Sequence, residues 1–128
     1  MKVFIYVIIF LGIISGCSKK LDNVTLNDNP YDEAYSGPIV INMSSIITDT
    51  VSFPIMRNYI NFTKSTENYD GVRLYRGGVL INTNATSSLS LSSVTDNSAI
   101  SGVTYTYQLR LYLGSGETES DFFTFTTP

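Results

Sequence analysis

The sequence predicts an all-β domain, a single antiparallel β-sandwich of about seven strands. Beyond Pro38 no window of about 11 residues carries a helical apolar stripe, and apolar residues instead alternate with polar ones at a period of two. Clusters of Asn, Asp, Gly and Ser interrupt that alternation at short intervals, as turns between short strands do.

Each expected strand rests on its own residues. Ile39, Ile41 and Met43 alternate with Val40 and Asn42. Val51, Phe53 and Ile55 form the next alternating set, with Ile60 and Phe62 after it. Pro54 has no N–H for a ladder, so it belongs at an edge or a break. Val72 and Leu74 alternate with Arg73 and Tyr75, and Val79 and Ile81 flank Leu80. Between these two strands Gly77-Gly78 supplies two residues free to take positive φ, as a tight hairpin requires. The stretch from Asn82 to Ser98 is rich in Ser, Thr and Asn, and Leu89 and Leu91 within it predict a weak strand bordered by loops. The cleanest alternation sets Tyr105, Tyr107, Leu109, Leu111 and Leu113 against Thr104, Thr106, Gln108, Arg110 and Tyr112. Gly114-Ser115-Gly116 reads as the next turn. Phe123 and Phe125 close the domain.

Composition excludes several kinds of chemistry. The 128 residues suffice for one domain of ordinary size. There is no His, which removes His-based triads and imidazole-ligated metals, and the single Cys makes neither an internal disulfide nor a Cys-rich zinc site. A formal net charge of −3 and a pI near 4.7 argue against nucleic acid as a partner.

The N-terminus reads as an address. Lys2 precedes the apolar run Val3–Ile14, which ends in Ser15-Gly16-Cys17. Charged start, apolar middle and small residues at a cut make residues 1–16 a secretory signal. At about 14 residues, Val3–Gly16 is short of the roughly 20 that a membrane span needs. Ile14-Ser15-Gly16-Cys17 resembles the lipobox of bacterial lipoproteins. That resemblance implies cleavage before Cys17, a diacylglyceryl thioether on its sulfur and acylation of the new amino terminus, a durable multi-chain anchor. It places the protein in the bacterial cell envelope, lipid-anchored at the outer membrane on its periplasmic or surface face. Residues 17–37 are then the lipidated terminus and a linker, rich in turn formers and about 25 Å long as a flexible coil. Lys19-Lys20 would lie near anionic head groups. Asn27–Glu33 offers alternating oxygen ligands but lacks the glycine and distal glutamate of an EF-hand loop, so an acidic turn is expected and no metal.

The domain itself, residues 38–128, resembles a fibronectin type III domain, in the wider immunoglobulin-like class. Gly71–Gly78 is similar to the third strand and turn of that family, Gly102–Leu111 to its sixth strand, and Phe123–Pro128 to its closing strand. The resemblance puts Tyr105 in the place of the tyrosine-corner residue and makes Phe62 the substitute for the family's missing second-strand tryptophan. Asp49-Thr50-Val51 likewise resembles a bacterial O-glycosylation site, with Thr50 as acceptor; a polar turn before a strand explains the same three residues.

For function, three readings stand side by side. An enzyme would need paired carboxylates across a cleft. Glu67 with Asp70, and Glu117 with Glu119 and Asp121, fall instead in expected turns, so the protein is expected to be non-catalytic and without a cofactor. A binding or adhesion module finds a surface in the alternation: with Val72, Leu74, Tyr105, Tyr107, Leu109 and Leu111 inward, Arg73, Tyr75, Gln108, Arg110 and Tyr112 share the outer face. Aromatic rings beside amide and guanidinium donors suit sugars, and they also serve as sheet-stabilising cross-strand pairs. A structural accessory subunit of an outer-membrane assembly would instead meet protein through an exposed strand edge.

Overall fold

In a computed structural model of the chain, the structure describes residues 28–128. The signal segment 1–16, Cys17 and the start of the linker lie outside the described residues. All regular structure in the described part is β: β1 (Ile41–Ser52), β2 (Ile55–Lys64), β3 (Gly71–Arg76), β4 (Val79–Asn84), β5 (Ser93–Ile100), β6 (Thr104–Leu113), β7 (Gly116–Glu119) and β8 (Phe123–Thr126). They form two antiparallel sheets, β1-β2-β5 and β4-β3-β6-β7, with β8 also pairing β6. β7 lies beside Arg110–Leu113 and β8 beside Thr104–Tyr107, so the two are segments of one edge broken at Ser120–Phe122. At the break Leu109 N donates to Ser120 Oγ at 2.9 Å, a side chain standing in for the ladder.

The fold is a β-sandwich, and the inward residues of its sheets meet as the alternation requires. Ile41, Ile60, Phe62 and Val94 from one sheet pack on Val72, Leu74, Tyr107, Leu109 and Leu111 from the other. Both hairpin glycine pairs work as turns. Gly77 and Gly78 have φ of +58° and +81°. Gly114, at φ +57°, begins a two-residue turn whose flanking pair is Leu113 and Gly116, one residue tighter than the three-residue loop expected.

Four expectations need correction. The segments expected as separate strands around Ile41 and Val51 belong to one twelve-residue strand, β1. A bulge between Met43 and Ser45 shifts the register, so the alternation changes phase and the polar stretch between reads as a turn. Val51, Phe53 and Ile55, expected as one alternating set, are divided by the exposed β1–β2 hairpin, with Val51 on β1 and Ile55 on β2. The strand expected at Leu89 and Leu91 is a loop, and its place is taken by β5, whose inward positions Val94, Asp96 and Ala99 include a carboxylate and span a register shift opposite Met56/Asn58. Glu117 and Glu119 belong to β7 and not to a turn.

The domain also reaches further toward the N-terminus than Pro38. Asn29–Tyr35 forms a turn, with Asp32 N donating to Asn29 O and Tyr35 N to Asp32 O. Tyr31 is buried against the core and its hydroxyl donates to Asn68 O. The close fit has a test: a Cβ on Gly116 would stand 2.6 Å from Tyr31 O. Gly116→Ala is therefore expected to displace this turn, read as faster amide exchange at Tyr31–Tyr35 while β2 and β6 stay protected.

A second, polar interior joins the sheets. Asn58 on β2 donates through Nδ2 to Tyr107 Oη at 3.0 Å and Thr127 Oγ1 at 2.9 Å, and its Oδ1 accepts from Thr48 at 2.8 Å. Asp96 accepts from Tyr107 Oη at 2.8 Å, from Ser98 N at 2.9 Å and Ser98 Oγ at 3.0 Å, and pairs with Arg76 at 2.8 Å. Burial, followed by the Asp96 contact, raises the Tyr107 pKa well above the usual phenol value, which fixes it as a donor. Among the described residues no buried side-chain nitrogen or oxygen lacks a partner, the condition under which such a network specifies a fold and does not weaken it.

Candidate functional site

The structure brings Arg73, Tyr75, Gln108, Arg110 and Tyr112 onto one outer face, as period two dictates for adjacent strands. In register Arg73 stands opposite Arg110 and Tyr75 opposite Gln108. Two guanidinium groups directly opposed would repel. β7 answers this by placing Glu117 opposite Tyr112 and Glu119 opposite Arg110. Glu117 pairs with Arg73 and, at 3.1 Å, with Arg110, while Glu119 takes Arg110 at 3.0 Å. Partial desolvation works to raise the Glu117 carboxyl, but the hydrogen bonds and charges of Arg73 and Arg110 outweigh it and hold the group below its ordinary range.

The rings are occupied as well. Arg73 lies 4.2 Å from the Tyr112 ring centroid and Arg110 lies 4.3 Å from that of Tyr75. Gln108 is only 5 % exposed; its amide donates to Glu119 at 3.0 Å and Ser120 O at 3.3 Å. The five residues thus form a lattice that spends its donors and one face of each ring on itself. Each exposed ion pair in it contributes at most about 1 kcal/mol, and each stacked cation about 0.5–1 kcal/mol. Glu117 and Glu119 complete the lattice; sequence reading weighed them only as catalytic carboxylates in a turn, and the alternation Glu117-Thr118-Glu119 was the signal that they share one face of a strand.

Beside the lattice an open groove of about 660 Å³ runs against the N-terminal turn, lined by Tyr31, Asp32, Glu33, Arg73, Gly116, Glu117 and Glu119 among others. Its Glu117 is held ionised, the opposite of what a general acid needs. Among the described residues no group of three or more His, Cys, Asp or Glu is arranged to hold a metal ion. Asp32 Oδ1 instead accepts from Ala34 N at 2.8 Å within the turn. Thr50 is exposed near the end of β1, in a strand and not a turn.

The opposite end of the sandwich has another character. The β1–β2 hairpin and the β5–β6 loop meet there, with Ile55 opposite Ile100 and Ser101 N donating to Pro54 O at 3.0 Å. Val51, Phe53, Ile55, Ile100 and Val103 are all exposed, Phe53 by 79 %. The nearest basic side chains border this end already engaged: Arg57 donates to Asn97 Oδ1 at 2.8 Å, and Arg76 pairs with Asp96 at 2.8 Å and lies 4.7 Å from the Tyr105 ring centroid. Sequence reading took Val51, Phe53 and Ile55 as one alternating strand, since alternation alone does not tell a hairpin tip from a continuous strand.

Fold and surfaces together define a two-sheet β-sandwich with a self-paired polar face and, at the other end, a set of exposed apolar side chains. No family model matches the chain, and no curated protein matches it in sequence.

Proposed function

We propose that the protein is a lipid-anchored, non-catalytic binding module of the bacterial cell envelope, held at the outer membrane through Cys17 and meeting protein partners. The anchor rests on Ile14-Ser15-Gly16-Cys17 following the apolar run Val3–Ile14. The likeness to a fibronectin type III domain is supported by the grouping of β1-β2-β5 against β4-β3-β6. It is supported too by Ile100 N donating to Tyr105 Oη at 3.1 Å, the backbone bond a tyrosine corner makes, and by the buried Phe62.

The observation that carries protein over glycan is the contrast between the two surfaces. The face that suits a sugar has already paired its polar groups. The end at Phe53 instead exposes Val51, Phe53, Ile55, Ile100 and Val103, the apolar chemistry of a protein contact. Two measurements test this. Cys17→Ser should release the protein from the membrane fraction, and the native mass should show loss of residues 1–16 with added acyl chains; a Cys17→Ser chain that is processed yet still membrane-bound would refute the anchor. On a glycan array the full chain should give no signal, and Tyr75→Ala with Tyr112→Ala should change nothing. Glycan retention lost in that double variant would move the reading to adhesion through sugar. The same native mass reports whether Thr50 carries a glycan.

A further inference from the structure

A sandwich of two open sheets has four edges, and this one protects three of them. The outward carbonyls of β5 are capped from the other sheet: Asn82 Nδ2 donates to Thr95 O at 2.6 Å, and Arg76 donates to Ser98 O at 3.3 Å. β4, the neighbouring edge, has only six residues and supplies that Asn82. The fourth-sheet-position edge made by β7 and β8 is two four-residue segments with a break between them. Short strands, breaks and capping side chains are the devices by which proteins blunt edges.

Between its two bulges β1 has none of these. Among the described residues it is the longest strand, with twelve residues, and pairs only with β2. Beyond the β2 ladder, no hydrogen bond to its backbone comes from any described residue. It contains no Lys, Arg or Pro, the usual edge guards. Between its two register shifts, Ser45 to Thr50 runs in regular register along β2. At the centre of that run Ile47 is 60 % exposed.

We propose that β1 is a self-pairing edge: two copies of the chain join antiparallel through Ser45–Asp49, centred on Ile47, making one six-stranded sheet. The register follows from charge. Asp49 is the only charged residue in β1, and in this register it faces Ser45 of the second copy. Centring the pair on Asp49 would set two carboxylates face to face, which costs stability. Within its own chain Asp49 is opposite Arg57, so the edge presents no uncompensated charge to its mate. Ile47 meets Ile47, and Ile46 meets Thr48, pairs of β-branched residues that suit a cross-strand position. The outward row Ser45, Ile47 and Asp49 continues the face that holds Asn61, Tyr59 and Arg57 on β2.

This goes beyond the envelope reading and does not depend on it, since it concerns the edge of the sandwich alone. Sedimentation velocity of the full chain in detergent micelles, over about 1–100 µM, should show a concentration-dependent dimer. Ile47→Lys should weaken self-association at least about tenfold while leaving the urea midpoint unchanged at dilutions where the parent is monomeric, because the side chain is outside the core. For the register, oxidation of Ile47→Cys should give a disulfide-linked pair above the background of the parent with Cys17 alone. Ser45→Cys should cross-link poorly with itself but readily when mixed with Asp49→Cys. A monomer throughout that range, a dimer indifferent to Ile47→Lys, or self-linking of Ser45→Cys equal to that of Ile47→Cys would each overturn the proposal. None of these outcomes bears on membrane retention, which the Cys17→Ser fractionation reads separately.

Discussion

Asp96→Ala is expected to destabilise the domain by about 3–5 kcal/mol, read by urea denaturation as a lower midpoint at unchanged slope. The carboxylate is 1 % exposed and serves four donor groups: Arg76, the Tyr107 hydroxyl, and Ser98 N and Oγ. Truncation leaves Tyr107 Oη with no acceptor at a fully buried site, and the penalty for an unmet buried group exceeds the net worth of the bond. Arg76 has a partly exposed side chain and turns toward water when its partner is lost. Arg76→Ala and the double variant close a thermodynamic cycle, with a coupling of about 0.5–3 kcal/mol expected for groups in one network. An Asp96→Ala loss below about 1 kcal/mol would mean that the network does not hold the sheets together.

Leu109→Ala is expected to cost about 2–5 kcal/mol through lost burial and the cavity left behind. Leu109 is fully buried, and its strand β6 is central, bonded to β3 on one side and to β7 and β8 on the other. Neighbours on both sides hold the backbone in place, so the site cannot collapse to fill the space. Val79→Ala is the internal comparison: the side chain is exposed at the end of β4, and its loss should stay within about 0.5 kcal/mol. Equal losses at the two positions would contradict the assignment of the core.

The sequence displays this fold where one rule operates alone. From Tyr105 to Leu113 nothing disturbs period two, and the structure buries Tyr107, Leu109 and Leu111 as the alternation requires. Where two rules compete, the pattern misleads. β5 puts Asp96 inward because Arg76 and Tyr107 await it from the other sheet, and no local window contains those partners. β1 loses its phase at a bulge, which the residues Ser44-Ser45 do not announce. The shared face of Arg73, Tyr75, Gln108, Arg110 and Tyr112 was legible for the same reason as β6. Its self-pairing was not, because the lattice depends on the register that sets Arg73 against Arg110 and on a β7 that reads as a turn.

The apolar end of the sandwich at Phe53 carries a consequence for how fast, and under what conditions, anything is met there. Attraction over distance needs charge, and steering lifts association well above the neutral rate of about 10⁵–10⁶ M⁻¹s⁻¹. The nearest charges at this end, Arg57 and Arg76, are held by Asn97 and Asp96, so such guidance is weak there. Encounters at Phe53 and its neighbours are therefore governed by diffusion and shape. Their rate should change only weakly as salt is raised, where a charge-steered encounter would slow steeply.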